Sequence, residues 1–244
     1  MELGMLLFTI GAFGVAGVLA WRDRHPHYLI ALASGQIATL LSPLWQRLYG
    51  FSYDPSLDPL FRALDRSLPT AIFLAGWTLM LPPLTIFFLY QRRWWLSGYL
   101  TGALTFALFT LYHILIETIG VRAGWWQYAN GSVLPFDVSI TLLAGLMNGL
   151  VSLGGLAVLL ITRHYAWPML LAVVLPTPLL MSALVHGLLG APLYTVLLLR
   201  AQSWAAAIGL IGTLGLILWG AHIIASELGR RPIIGAPVAD RMTM

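Results

Sequence analysis

The chain contains no lysine and no cysteine. All 13 basic residues are arginine, which excludes any mechanism built on a Schiff-base lysine, a retinal-binding rhodopsin among them. Without cysteine there is no disulfide, no thiolate metal site and no palmitoylation site, and redox chemistry says nothing about compartment. Charge is scarce. Only 9% of the 244 residues are charged and 59% are hydrophobic, against about 25% and roughly 45–50% in an ordinary soluble domain. That balance belongs to an integral membrane protein, and no nucleic-acid partner is expected.

A helix that crosses a bilayer needs about 20 mostly apolar residues. Seven stretches qualify: 2–20, 28–46, 69–90, 97–117, 136–162, 167–188 and 203–226. The expected fold class is all-α, a bundle of seven transmembrane helices forming one domain over 1–244. Val18-Leu19-Ala20 resembles a signal-peptide cleavage site, but Glu2 stands where a basic n-region is expected, so 2–20 reads as the first span. Arg22, Arg24, Arg92, Arg93, Arg163, Arg230, Arg231 and Arg241 fall on one side, against Arg47, Arg62, Arg66, Arg122 and Arg200 on the other. By the positive-inside rule the N-terminus is expected outside and the C-terminus in the cytoplasm. A multi-pass protein of a bacterial inner membrane follows.

Residues 47–68 form the longest connection, with turn signals at Asp54-Pro55 and Asp58-Pro59. The spacing over 59–67 predicts a short amphipathic helix on the outer surface, preferred to a cap over a pocket. Pro82-Pro83 and Pro176-Thr177-Pro178 interrupt two spans; each proline removes a backbone hydrogen bond and kinks its helix, which opens space between helices. Gly11, Gly14, Gly17, Gly145, Gly149, Gly209, Gly212 and Gly215 recur at helical spacing and are expected to let helices approach closely.

Ionisable groups at membrane depth are costly, so each is a functional candidate. Phe106, Thr110, His113 and Glu117 share one face of the fourth span. Asp137, Thr141, Asn148 and Ser152 form a stripe on the fifth, and Pro178, Ser182 and His186 one on the sixth. If these faces converge they make a polar pocket near the outer side. The plainer alternatives are an interfacial carboxylate for Glu117, a helix-start residue for Asp137 and a histidine bonded within the bundle for His186. Trp125, Trp126 and Tyr128 serve equally as an outer aromatic belt, as Trp94 and Trp95 serve as an inner one, and His222 reads as interfacial. No His-x-x-x-His or Glu-x-x-His pairing occurs, so no metal is expected; a haem between His113 and His186 is conceivable, but no cofactor is assigned. A carboxylic acid in an apolar, aromatic-lined pocket suits proton donation to a carbon–carbon double bond, with facing rings stabilising the carbocation.

The pattern Glu117-x-x-Gly120-x-x-x-Gly124-Trp125-Trp126-x-Tyr128, followed by Pro135 and Asp137, resembles that of the carotenoid hydratase-like membrane proteins, which add water to the terminal double bond of a linear carotenoid. More distantly it looks like the membrane lycopene cyclases, in which Pro-x-Glu-Glu opens a helix. A single Asp137 follows Pro135 here, and Trp125-Trp126 stands where the hydratases tend to carry Phe-Gly. The likeness is confined to residues 117–137 and implies roles for Glu117, Tyr128 and Asp137.

The expected function is protonation of a double bond in a long isoprenoid or carotenoid-like lipid, with cyclisation or hydration following. Glu117 is the acid, Asp137 the base or water-orienting group, and His113 the partner that tunes Glu117. Trp125, Trp126 and Tyr128 form the cation-stabilising wall, and Phe106, Thr141, Asn148, Ser182 and His186 line the substrate site. The alternatives are a non-catalytic subunit that binds lipid, pigment or membrane-protein partners, itself included as a homo-oligomer, and a small transporter.

Overall fold

The computed structural model describes residues 2–95, 98–129, 134–199 and 203–230. Arg200, Arg231 and Arg241, counted above in the charge balance, lie outside them. Seven helical segments are long and apolar enough to cross a membrane, close to the expected boundaries, and they make this a multi-pass membrane protein by length and composition.

Segment one is the continuous helix α1 (Glu2–Asp23). Segment two is α2 (His27–Ala38) and α3 (Ser42–Tyr49), joined by a 3₁₀ turn at Thr39–Leu41. The chain then forms strands β1 (Phe51–Tyr53), β2 (Pro59–Ala63) and β3 (Arg66–Pro69). Segment three is α4 (Thr70–Ala75), a 3₁₀ turn at Gly76–Leu79 and α5 (Leu81–Gln91). Segment four is α6 (Tyr99–Arg122), followed by β4 (Trp126–Tyr128) and a short turn at Pro135–Asp137. Segment five is α7 (Ile140–Thr162). Segment six is α8 (Trp167–Val173), α9 (Thr177–Ser182) and a π-helical turn at Ala183–Leu189. A further short helix, α10 (Ala191–Leu198), precedes segment seven, α11 (Ser203–Arg230).

The core forms around α7, whose segment is 67% buried, whereas that of α1 is 11% buried. Added Cβ atoms at Gly145 and Gly149 would meet the backbones of Ile114 and Thr110 at 3.0 Å, so these glycines let α7 lie directly against α6. A tighter crossing joins segments two and three, where a Cβ on Gly35 would lie 2.6 Å from the Gly76 carbonyl oxygen. Gly11, Gly14, Gly17 and Gly215 behave otherwise than expected: a Cβ on any of them meets nothing within 4 Å.

Residues 59–67 are not an amphipathic helix. β2 and β3 form an antiparallel hairpin with Arg62 opposite Ser67 and Ala63 opposite Arg66. Leu64 and Asp65 turn it with φ of 53° and 59°, both left-handed as a two-residue hairpin requires. Leu68 is fully buried beneath it, and the Gln46 amide donates to the Ser67 carbonyl at 2.8 Å. The apolar spacing of Leu60, Ala63 and Leu64 suggests helix, but the anchoring of β3 on α3 prevails.

Broken helices leave carbonyls without helical donors, and the structure supplies others. Pro82 and Pro83 cannot donate to Thr78 and Leu79, four residues back; Thr78 instead accepts from the Tyr112 hydroxyl at 3.2 Å and Leu79 from the Ser152 hydroxyl at 2.9 Å. In segment six the π turn gives the Gly190 N–H to Val185 at 2.9 Å, and the His186 carbonyl accepts from the Tyr49 hydroxyl at 2.6 Å.

The Gly35 crossing gives a paired prediction. Gly35→Leu forces backbone apart and is expected to cost about 1–3 kcal/mol or more, lowering the unfolding midpoint in detergent. Gly215→Ala, in an open helical position, is expected to hold or raise it by up to about 1 kcal/mol.

Candidate functional site

A cavity of about 420 Å³ lies at the end of the bundle where α6 gives way to β4 and α3 to β1. Its size falls within the roughly 300–1,000 Å³ of small-molecule sites. The site is closed by a two-stranded antiparallel ribbon in which Phe51 pairs with Tyr128 and Tyr53 with Trp126. The strand period of two sends alternate side chains to one face, so Phe51, Tyr53, Trp126 and Tyr128 all line the cavity while Ser52 and Gln127 do not. Thus part of the 47–68 connection does cap a pocket, as a strand rather than as the surface helix preferred from the sequence.

Glu117 stands beneath this ribbon. Its Oε2 accepts from the Trp126 indole N–H at 2.9 Å and from the Tyr128 hydroxyl at 3.1 Å. Among the described residues no donor reaches Oε1 and no basic side chain comes within ion-pair distance. Gly120 makes the arrangement possible, because a Cβ there would overlap the Trp126 ring. Burial pushes the Tyr128 phenol well above the ordinary tyrosine range, so Tyr128 stays a donor. The Tyr53 hydroxyl, likewise raised by burial, lies 2.6 Å from the Ser42 hydroxyl.

His113 also lines the cavity but does not bond to Glu117, contrary to the expected tuning role. Its Nε2 lies 2.7 Å from the Ser152 hydroxyl oxygen. That hydroxyl spends its proton on the Leu79 carbonyl, so His113 must donate through Nε2 and carry its lone pair on Nδ1. His186 has the opposite tautomer. Its Nδ1 is 3.3 Å from the Ser182 carbonyl, which can only accept, so Nε2 holds the lone pair. Trp45 stacks on the His186 ring at 5.4 Å between centroids and donates to the Ser182 hydroxyl at 3.1 Å. The Asn148 amide lines the same cavity and makes no hydrogen bond among the described residues.

Of the sequence-derived candidates, Glu117, His113, Trp125, Trp126, Tyr128, Asn148, Ser182 and His186 therefore share one cavity. Phe106 and Thr141 do not. Phe106 is packed in the core, and the Thr141 hydroxyl lies 2.6 Å from that of Ser139, whose side chain caps α7. That cap also displaces the expected helix start: Asp137 lies in a separate turn behind Phe136, whose φ is 62°. The Asp137 side chain is outside what the structure describes.

Trp45, Tyr49, Phe51, Tyr53 and Ser42 were missed. Trp45 and Tyr49 are one turn apart on α3, and Phe51-x-Tyr53 has the alternation of a strand; both signals lie in or beside the segment read as a connection. Met5, Ile72 and Ile119, from α1, α4 and α6, line one side of the cavity. Ile119 is also 53% exposed, so there the cavity reaches the protein's surface. Past Met147 and Asn148 the next turn of α7 brings buried Leu150, Val151 and Leu153. Among the described residues no group of three metal-ligating side chains comes together.

Comparison with protein-family models, curated proteins and solved structures finds no match.

Ser152→Ala leaves the Leu79 carbonyl and the His113 N–H unpaired in an apolar interior, each at about 1–3 kcal/mol. Its unfolding free energy is expected to fall by at least that amount, measured by reversible denaturation in mixed micelles.

Proposed function

We propose that this protein is a membrane-embedded enzyme that protonates a terminal carbon–carbon double bond of a long isoprenoid chain, leading to cyclisation or hydration. The observation that carries the reading is the asymmetry at Glu117. A neutral carboxylic acid has one carbonyl oxygen, able to accept two hydrogen bonds, and one hydroxyl. Both donors reach Oε2, which leaves Oε1 as the oxygen to carry a proton. An unpaired charge among apolar and aromatic walls is costly, and among the described residues no basic side chain comes within ion-pair distance to offset it.

In the proposed step Oε1–H gives its proton to the less substituted carbon of the double bond, leaving a tertiary carbocation and the Glu117 carboxylate. The indole and phenol donors then hold the charge that forms on Oε2. Faces of Trp125, Phe51 and Tyr53 stabilise the cation. Ring closure followed by loss of a proton, or attack by water followed by loss of its proton, completes the step. The lone pairs on His186 Nε2 and His113 Nδ1 are the acceptors.

The exposed, apolar Ile119 at the cavity's edge suits a substrate that arrives from the bilayer, and the cavity volume suits the end of such a chain with the rest left in lipid. The likeness of residues 117–137 to carotenoid hydratase-like proteins supports the same chemistry. Buried apolar turns of α7 beyond the cavity weigh against a transport path. In this reading the cavity end of the bundle faces outward in a bacterial inner membrane.

Glu117→Gln keeps an amide oxygen for Trp126 and Tyr128 but has no proton to transfer. Lipids co-purifying with wild type and variant are to be extracted and compared by mass spectrometry and absorbance. An isoprenoid or polyene enriched unreacted on the variant is expected; identical bulk phospholipid on both, with no polyene band, overturns the proposal in favour of a non-catalytic subunit.

A further inference from the structure

A second cavity, of about 770 Å³, lies on the far side of the Gly76–Leu79 turn. Gly76, Thr78 and Leu79 face the Glu117 cavity, whereas Trp77 faces this one. It is a groove between α1 on one side and α2 and α5 on the other, running along α1 from Gly4 to Leu19. At 1.5 Å per residue that is about 22 Å, most of the roughly 30 Å thickness of a bilayer core. Gly4 and Gly11 deepen it, with nothing within 4 Å of where a Cβ would stand.

Among the described residues the groove presents no unmet polar side chain. The Trp77 N–H is taken by Thr9 at 3.1 Å and the Thr85 hydroxyl by the Leu81 carbonyl at 2.9 Å. The groove therefore suits a hydrocarbon chain. The end at Leu19, Tyr28 and Phe88 is different. The guanidinium carbons of Arg22 and Arg92 lie 5.7 Å and 5.0 Å from the Phe88 ring centroid, one from each wall of the groove, and Arg24 and Arg93 follow them in the chain. Asp23 opposes them, accepting from Arg22 Nε at 3.0 Å and from the Tyr28 hydroxyl at 3.0 Å. One carboxylate against four arginines leaves this end positive.

We propose that this groove is a binding site for an anionic phospholipid, one acyl chain lying along α1 and the phosphate held between Arg22 and Arg92. A second copy of the chain fits worse: a two-fold pair sharing one membrane orientation brings the same arginine ends together, like charge against like. The proposal does not depend on the chemistry assigned to Glu117.

The test is native mass spectrometry of the full chain released from micelles containing equal amounts of phosphatidylglycerol and phosphatidylcholine with identical acyl chains. Wild type is expected to retain one phosphatidylglycerol in preference to phosphatidylcholine. Arg22→Gln and Arg92→Gln are each expected to lower that preference roughly fivefold, the worth of one basic residue near an anionic lipid surface. Gly11→Leu fills the groove in open space and is expected to abolish retention without lowering the unfolding midpoint; Gly4→Leu repeats the test one end further along. Equal retention of both lipids, or a preference that survives the double arginine variant, overturns the proposal. So does a neutral isoprenoid in the groove, or a dimer that Gly11→Leu converts to monomer.

Discussion

In an apolar interior a backbone carbonyl deprived of its helical donor must find another, because no water is at hand. Three interruptions in this bundle create that demand, and the polar side chains of the core answer it. Pro82 and Pro83 release Thr78 and Leu79, which draw in Tyr112 and Ser152. The π turn of segment six releases His186, which draws in Tyr49. Each answer fixes something else: Ser152 sets the tautomer of His113, and Tyr49 ties α3 to the ring stacked on Trp45. The breaks thus open the cavity and dictate how its walls are hydrogen-bonded.

The other determinant of the site is the ribbon of β1 and β4. Two three-residue strands from connections far apart in sequence pair across the end of the bundle. Their alternation turns four aromatic rings inward and brings two donors onto one oxygen of Glu117. The tryptophans and tyrosine that read in the sequence as an aromatic belt are cavity wall in the structure, since such a side chain can satisfy its polar tip from either side.

Helices α6 and α7 were legible from periodicity, and with them the shared face of His113 and Glu117 and the stripe that holds Asn148. Helix α3 and the strands were not. Segment two runs on through Arg47 to Tyr49, past the charge at which an apolar run is read as ending, and the pairing of 51–53 with 126–128 is a contact between distant stretches. The hairpin at 59–69 was misread because Leu60, Ala63 and Leu64 also fit a helical period, and period is ambiguous in so short a run. The His113–Glu117 pair was misjudged for a related reason. Residues one turn apart share a face, but a partner on another helix can take the side chain away, as Ser152 does.

By itself, the sequence determined that the chain carries seven bilayer-length apolar segments and that His113, Glu117 and His186 lie toward the same end of them. Those are properties of local composition and spacing, settled before any segment meets another. Only the tertiary structure decided which carbonyls went unpaired and which hydroxyl reached each one. It also decided that Glu117 receives both its donors on a single oxygen, and that α1 leaves a groove rather than a seam. Such outcomes depend on the distance between segments remote in sequence, which close packing sets and no local pattern encodes.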